Sequence, residues 1–522
     1  MAAASEQPDQ QRVPAGSWYA LGVLTLVYLV NFVDRQILSI LANDIKADLG
    51  LDDAQLGFLY GTAFAIFYAL FGIPLGRLAD SWNRTRLLAL GLTLWSAMTA
   101  LSGLARSFAG LAVARVGVGV GEATASPCAY SLISDLFPRH RRATALSIYS
   151  AGLFFGSGLS LVVGAAIVQA WNRAWPQGAP LGLAGWQAAF LAVGLPGLLL
   201  ALWVLTLREP VRGAVDGLPD WGMPRPWADF GRQLLLIVPP LTLLGAARGG
   251  ARALVMNLIG AGVIGLLAWV LAALTGGGAQ FLFLGIGAYA VFSWASALYR
   301  DDRPTFALTW GTPVFMATVF TYGAISYVGY TLTYWAAPYG ERVFGLGKLE
   351  TAWWLGAPAA LGGVLGVIAG GWAADWLHRR TPAGRLLVVL VGVLGPVPLV
   401  LLAYRTTSAD LFLLCSFLLQ AVTSSALGAS AAATQALVLP RMRGTATAIF
   451  FLGATLIGLG LGPFMAGFIS EASGSLGVGV QASLLIVPLG LAALVFAQRG
   501  YGLADQTRVA RAVAAGEQIT PA

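Results

Sequence analysis

Of 522 residues, 57% are hydrophobic and only 10% charged, against about 25% charged in an ordinary soluble domain. A soluble enzyme of this length would need polar surface that the chain lacks, and the net charge of +8 sits in arginine groups between apolar stretches rather than in one basic patch for nucleic acid. A protein that crosses the bilayer many times is the class that remains.

Residues 1–16 are polar, with Glu6 and Asp9 and no basic region ahead of the first span, so no cleavable signal peptide is expected there. Six spans follow, near 17–42, 54–76, 87–105, 109–136, 143–170 and 185–207. The segment 208–303 reads as a linker. It holds a short apolar stretch, Leu234 to Leu244, interrupted by Pro239-Pro240, which is too short to cross and is expected at the interface. Two fuller spans, near 252–275 and 279–299, complete the linker. Six more run near 308–337, 351–376, 385–404, 410–438, 444–470 and 480–499, and 500–522 reads as a tail.

The predicted fold class is therefore all-α integral membrane: two six-helix bundles, 17–207 and 304–499, with two inserted helices between them. Arg77, Arg84 and Arg86, then Arg139, Arg141 and Arg142, then Arg379, Arg380 and Arg385 share one side with both termini. Excess arginine marks cytoplasmic loops, so both termini are expected in the cytoplasm. Low lysine with abundant Arg, Ala and Gly suggests a bacterial source, hence an inner (plasma) membrane. Cys128 and Cys415 lie in apolar segments, so no disulfide framework is expected.

The halves repeat. Gly76-Arg77-Leu78-Ala79-Asp80-Ser81-Trp82-Asn83-Arg84 and Gly371-Trp372-Ala373-Ala374-Asp375-Trp376-Leu377-His378-Arg379 both read G-x-x-A-D-x-x-x-R, 295 positions apart. Arg142-Ala143-Thr144-Ala145 is echoed by Arg443-Gly444-Thr445-Ala446, 301 positions apart. Similar offsets for separate motifs indicate an internal duplication, a common way of building transporters. A short loop carrying both signs, such as Gly76, Asp80, Arg84 and Arg86 or Gly371, Asp375 and Arg379, can bridge helix ends through a breakable ion pair. These residues, with Arg142 and Arg443, are the candidate gates.

Charges deep in a membrane are costly and usually functional. The acids placed well inside spans are Asp34 and Glu122, and the bases are Arg35 and Arg115, so the set is neutral. Arg115 and Glu122, seven apart, fall on one face of the fourth span with Gly119 between them. Asp34 and Arg35 point about 100° apart, so one can face a cavity while the other meets a neighbouring helix. A salt-bridge cluster that only joins the first and fourth spans is the structural alternative. Coupling to protons is the functional one, and since His140 and His378 both fall in loops, the proton carrier is a carboxyl. Of the two acids, Glu122 is preferred for the coupling role.

The G-x-x-A-D-x-x-x-R loops and the six-plus-six repeat resemble the major facilitator superfamily. That family usually has a basic residue after the acid and a Gly before the later Arg. Ser81 and Asn83 stand there in this chain, and Asn tolerates the left-handed backbone that Gly would adopt. Asn31-Phe32-Val33-Asp34-Arg35, the run Arg115-Val116-Gly117-Val118-Gly119-Val120-Gly121-Glu122-Ala123 and Ser134-Asp135-Leu136-Phe137-Pro138 resemble its Spinster branch more specifically. The resemblance implies the major facilitator fold and an amphiphilic substrate such as a lysophospholipid or sphingoid lipid. The expected mechanism is alternating access of the two halves about a midplane site, and the expected unit is a monomer in the bilayer. The resemblance leaves the insert at 232–300 without a role.

The second half offers aromatic and hydroxyl groups where the first offers charge. Asn31, Tyr322, Tyr327, Tyr330, Tyr334, Gln420, Thr423 and Ser424 are the candidate cavity lining, against packing or interfacial anchoring as the alternative. Gly117, Gly119 and Gly121 follow no strand and read as helix-packing positions. No ATP site is expected, since Lys46 and Lys348 are the only lysines and neither sits in a phosphate loop. No His/Cys cluster has metal spacing, and no cofactor is implied. A membrane acyltransferase or lipase lacks its nucleophile–base pair, and a channel lacks its ring of repeated charges. An organic-anion or drug carrier of another major facilitator branch is the second reading.

Overall fold

A computed structural model of the chain describes residues 13–213, 215, 225–381 and 383–518. Most of the expected N-terminal tail, part of the linker and the last four residues lie outside them. The described residues form helices throughout, without a strand. Twelve helical segments are long and apolar enough to cross a membrane. Arg84–Ser102 and Pro313–Phe344, at 19 and 32 residues, have the length to cross but fall below that apolarity.

The first bundle is α1 (Ala15–Leu49), α2 (Asp53–Ser81), α3 (Arg84–Ser102), α4 (Phe108–Leu136), α5 (Arg139–Ala174) and α6 (Gly185–Val204). The insert follows as α7 (Pro226–Ile237), α8 (Leu241–Arg248), α9 (Ala251–Thr275) and α10 (Gly278–Asp301). The second bundle is α11 (Pro313–Phe344), α12 (Lys348–His378), α13 (Gly384–Ala403), α14 (Ala409–Ala436), α15 (Pro440–Ser473) and α16 (Leu476–Gln506). A last short helix, α17 (Arg508–Ala514), continues past it.

The expected interfacial stretch is two helices rather than one, α7 and α8, bent by 100° where they meet. Neither piece, at 12 and 8 residues, reaches across a hydrocarbon core about 30 Å thick. Within the expected tail at 500–522, α16 continues to Gln506 and α17 follows it.

Local chemistry sets the helix ends. Asp52 and Gln55 form a capping box at the start of α2 (Gln55 N to Asp52 Oδ1, 2.6 Å; Asp52 N to Gln55 Oε1, 3.1 Å). The duplication shows in the caps as well. Ser107 accepts from Gly110 N (3.2 Å) ahead of α4, and Ser408 accepts from Leu411 N (3.3 Å) ahead of α14. Those serines stand 301 positions apart, the same offset as Arg142 and Arg443.

The two G-x-x-A-D segments are helix rather than loop. Gly76–Ser81 closes α2 and 371–378 closes α12, because neither carries a breaker before its end. Asn83 does not take the left-handed conformation expected of it. At φ −64° and ψ 112° it caps α3, its Oδ1 accepting from Arg86 N at 2.8 Å. Two linker residues finish this turn. Glu209 accepts from Thr85 N (3.0 Å) at the start of α3, and Arg212 donates to the carbonyls of Ala79, Asp80 and Trp82 at the end of α2. Each charge sits at the helix end whose partial charge it complements.

On the side of the chain termini, Arg441 is held between Asp302 (2.9 Å) and Glu517. The hydrogen bonds from Arg441 hold the Glu517 carboxyl below its ordinary value. Burial works against ionisation of Asp302, but its bonds to Arg441 and Thr305 outweigh that and hold it low as well. Depressed carboxyl values stabilise the fold above the unfolded value, about 4, and the contribution is lost as pH falls through the folded values. Arg441→Gln should therefore make the segment after α16 easier to cleave by protease at pH 7. The gap between variant and parent should close below about pH 4. A gap that persists in acid would show that the clamp does not hold the tail.

Candidate transport site

Four charged side chains meet inside the first bundle. Arg35 donates to Glu122 Oε2 from Nη2 (2.7 Å) and from Nε (3.1 Å), and both side chains are almost fully buried. The guanidinium lies within 4.7, 4.5 and 4.9 Å of the ring centroids of Phe32, Phe64 and Tyr68, an aromatic cage that favours a desolvated cation. Arg115 reaches backbone instead, donating to Leu59 O and Asp34 O, each at 3.4 Å. Asp34 is fully buried and in no ion pair among the described residues, and its carboxyl faces the Trp95 indole and the Thr99 hydroxyl at longer than ordinary hydrogen-bond geometry. Asn31 is buried beside this group, its amide turned toward the Glu122 carboxyl.

The adjacent pair on α1 divides as helix geometry requires: Arg35 reaches Glu122 on α4, while Asp34 faces the bundle interior. α4 breaks directly after Glu122, at Ala123–Thr124. Its glycines bring it close to its neighbours. A Cβ on Gly119 would lie 2.6 Å from Phe64 O, and one on Gly121 would lie 2.7 Å from Trp95 N. Only glycine allows those approaches.

Between the bundles lies a cavity of about 230 Å³. Phe32 and Gln36 of α1 line it from the first bundle, with Phe154 and Ser157 of α5. Tyr322, Ser326, Tyr330, Thr333, Gln420, Thr423 and Ser424 line it from the second. Gln420 Nε2 donates to Ser424 Oγ (3.2 Å), and its Oε1 lies 3.5 Å from the Thr333 hydroxyl.

Five of the eight expected lining residues thus face the cavity. Tyr327, Tyr334 and Asn31 do not. Tyr334 stacks on Tyr60 at 4.3 Å across the bundle junction, Tyr327 is buried beneath Gly462, and Asn31 stays inside the first bundle. The four charges are not in the lining either: they lie one side-chain layer behind Phe32 and Gln36. Gln36, which accepts from Tyr60 OH at 2.5 Å, was missed. Its signal was its place one turn from Phe32, beside Arg35.

The repeated motifs separate by role. Arg84 is fully buried and binds Asp135, Glu209 (2.7 Å), Ser131 Oγ (2.8 Å) and Pro210 O (2.9 Å), all in the first bundle and its linker. Asp80, Arg86, Asp375, Arg379 and Arg443 stand exposed at helix ends, and Arg142 lies in the first turn of α5. A Cβ on Gly76 would touch only Pro127, and one on Gly371 would meet nothing.

A denser set of contacts, not expected from the sequence, joins the bundles on the side away from the termini. Asp53 of α2 receives Lys46 Nζ (2.6 Å), Arg342 Nη1 (2.8 Å) and Ser470 Oγ (2.7 Å). Lys348 binds Asp44 (2.7 Å), Glu341 (3.0 Å) and the carbonyl of Ile40 (2.8 Å). Asn43 donates to Glu341 at 2.7 Å and accepts from Arg342 at 2.6 Å. The signal was present in the sequence, since both lysines of the chain stand here.

Comparison with known proteins agrees with this arrangement. The family model for the Major Facilitator Superfamily matches residues 24–408. An "MFS-type efflux pump" of Mycolicibacterium smegmatis is 29% identical over 88% of this chain and 86% of its own. The mouse sphingosine-1-phosphate transporter SPNS2 is 26% identical over 86% of this chain and 69% of its own. A crystal structure of a bacterial homologue of the human lysosomal transporter Spinster, inward-facing and unoccupied, superposes with a TM-score of 0.68. It is 27% identical and covers 97% of this chain and 99% of that one. Duplicated bundles, an internal charge cluster and a cavity between the halves are the parts of a secondary transporter rather than an enzyme, and the chain belongs to the Major Facilitator Superfamily, with its Spinster-type members as relatives.

Proposed function

We propose that the protein moves an amphiphilic lipid, of the lysophospholipid or sphingoid type, by alternating access of its two bundles and in exchange with protons. One observation carries this reading. An ionised pair, Arg35–Glu122, stands directly behind a cavity whose walls are aromatic and hydroxyl-bearing. A headgroup finds the Gln36 and Gln420 amides and the hydroxyls of the lining, with the charged pair one layer behind Phe32, while rings and aliphatic side chains receive the tail. The name of the SPNS2 relative supports a lipid of that class.

Proton coupling is assigned here to Asp34 rather than to Glu122. A buried carboxyl that faces only neutral donors and has no cation at ion-pair distance is held at least cost when it carries a proton, whereas one gripped by a guanidinium is held at least cost when charged. The basic side with both termini is taken as cytoplasmic, in an inner membrane. The cross-bundle contacts on the far side then correspond to an inward-facing state. The ends of α2 and α12, with Arg142 and Arg443, would form the inner gate in the opposite state. One chain encloses a whole cavity, so a monomer suffices.

Liposomes holding the purified protein should take up labelled lysolipids above empty liposomes, faster with an imposed proton gradient. Gln420→Leu, which removes two hydrogen bonds from the cavity wall, should raise KM several-fold with little change in maximal rate, at about tenfold per 1.4 kcal/mol. Uptake no greater than in empty liposomes would reject the lipid reading. The efflux-pump relative favours a second reading, an organic-anion or drug carrier. Inhibition by small carboxylates but not by lysolipids would select it.

A further inference from the structure

The insert reaches the junction of the two bundles at a buried polar contact. Thr62 of α2, Gln280 of α10 and the carbonyl of Gly460 in α15 form one hydrogen-bonded group. The Thr62 hydroxyl lies 2.6 Å from Gln280 Oε1 and 2.5 Å from Gly460 O, and Gln280 Nε2 donates to Gly460 O at 3.1 Å. Thr62 and Gln280 are both at most 1% exposed. One belongs to the first bundle and the other to the insert, while the carbonyl belongs to the second bundle.

The reason for the contact lies in two helix breaks. α15 passes through a π-helical stretch, Ala454–Leu459, and resumes only at Gly462 with Pro463 in its first turn. The Gly460 carbonyl thus falls between two helical ladders. Inside a bilayer, a backbone group freed this way must find a partner in neighbouring protein. α2 is broken at the same level, at Gly61, where a Cβ would lie 2.3 Å from Leu459 O. The two breaks meet, and Gln280 closes the group from outside both bundles.

Around it α10 packs on both halves. A Cβ on Gly287 would sit 2.8 Å from Ile66 of α2 and 3.5 Å from Leu456 of α15, and Phe281 lies edge-on to Phe464.

We propose that the inserted hairpin is a conformational latch, with Gln280 holding the break of α2 against the break of α15 while the far side is closed. The inference rests on the alternating-access part of the functional reading and not on the substrate. α2 also carries Asp53, and α15 carries Ser470, so the same two helices bear the far-side ion cluster. When the far side opens, α2 and α15 part and the three-way group cannot persist. The latch therefore favours the far-side-closed state specifically.

Spin labels at Arg106 and Thr407, exposed on the far side of either bundle, allow this to be measured by pulsed electron resonance without any substrate. Gln280→Leu should raise the ratio of long to short distances roughly five- to tenfold, the equivalent of one buried hydrogen bond. Thr62→Val, which keeps the shape and removes the hydroxyl, should shift the ratio in the same direction and should add little to Gln280→Leu in the double variant. Unchanged distances in Thr62→Val, or fully additive shifts, would overturn the latch. The same holds for lower thermal stability with the ratio unmoved, which would mark a merely structural bond. Failure of lysolipid uptake in liposomes would reject the lipid reading and leave these distances untouched.

Discussion

Arg35→Gln is expected to abolish transport and to destabilise the protein, because it leaves Glu122 buried without its cation, to stay charged at high cost or to take up a proton. Removing one partner of a buried pair costs about 3–5 kcal/mol, and flux should fall by at least about 100-fold. Glu122→Gln strands Arg35 in turn, although the rings of Phe32, Phe64 and Tyr68 retain part of its stabilisation, so its loss of stability should be the smaller. The double variant Arg35→Gln/Glu122→Gln removes both charges and should recover most of the melting temperature. Flux in that double variant separates the roles. If uptake returns with stability, the pair only ties α1 to α4; if it stays lost, the charges serve transport. Asp34→Asn is predicted to behave differently again, keeping exchange of labelled for unlabelled substrate but losing acceleration by a proton gradient. Gradient-driven uptake intact in Asp34→Asn would remove that residue from the coupling role.

Much of this architecture was legible because membrane burial writes itself into sequence. Apolar length located the spans, since each must cover about 30 Å, and the two offsets exposed the duplication. The charges at 34, 35, 115 and 122 stood out because so few others lie inside. What was not legible depended on where side chains point and on where helices break. Four tyrosines on α11 carry the same sequence signal, yet Tyr322 and Tyr330 line the cavity while Tyr327 and Tyr334 pack inward. The break at Gly460 and the partner it finds in Gln280 join residues 180 positions apart, which no local pattern reports. Asn83 was read by analogy with a glycine, but its side chain was free to cap α3 and did so. The polar residues at the ends of α1 and α11 carry no motif, and only the docking of the two bundles makes them a network.

That network leads to the second large effect. Asp53→Asn should swing the protein toward the far-side-open state, because a single buried carboxylate there accepts from Lys46, Arg342 and Ser470 on three different helices. An amide in its place leaves Arg342 without its carboxylate and Lys46 with only the longer contact to Glu471, at 3.8 Å. Truncating one member of a buried, hydrogen-bonded charge group costs about 2–5 kcal/mol, here charged only to the state in which the group forms. The far-side-closed population should fall by about 30-fold or more, at 1.4 kcal/mol per factor of ten, and the Arg106–Thr407 distance distribution should lengthen accordingly. Substrate offered from the side of the termini should bind more weakly by the same factor, since apparent affinity scales with the competent fraction. Arg342→Gln should act in the same direction but less, because Lys46 and Ser470 still hold Asp53 and Lys348 still holds Asp44 and Glu341. The ordering is the decisive part. An unmoved distance distribution in Asp53→Asn, or a larger shift in Arg342→Gln, would mean that helix packing rather than the carboxylate closes the far side.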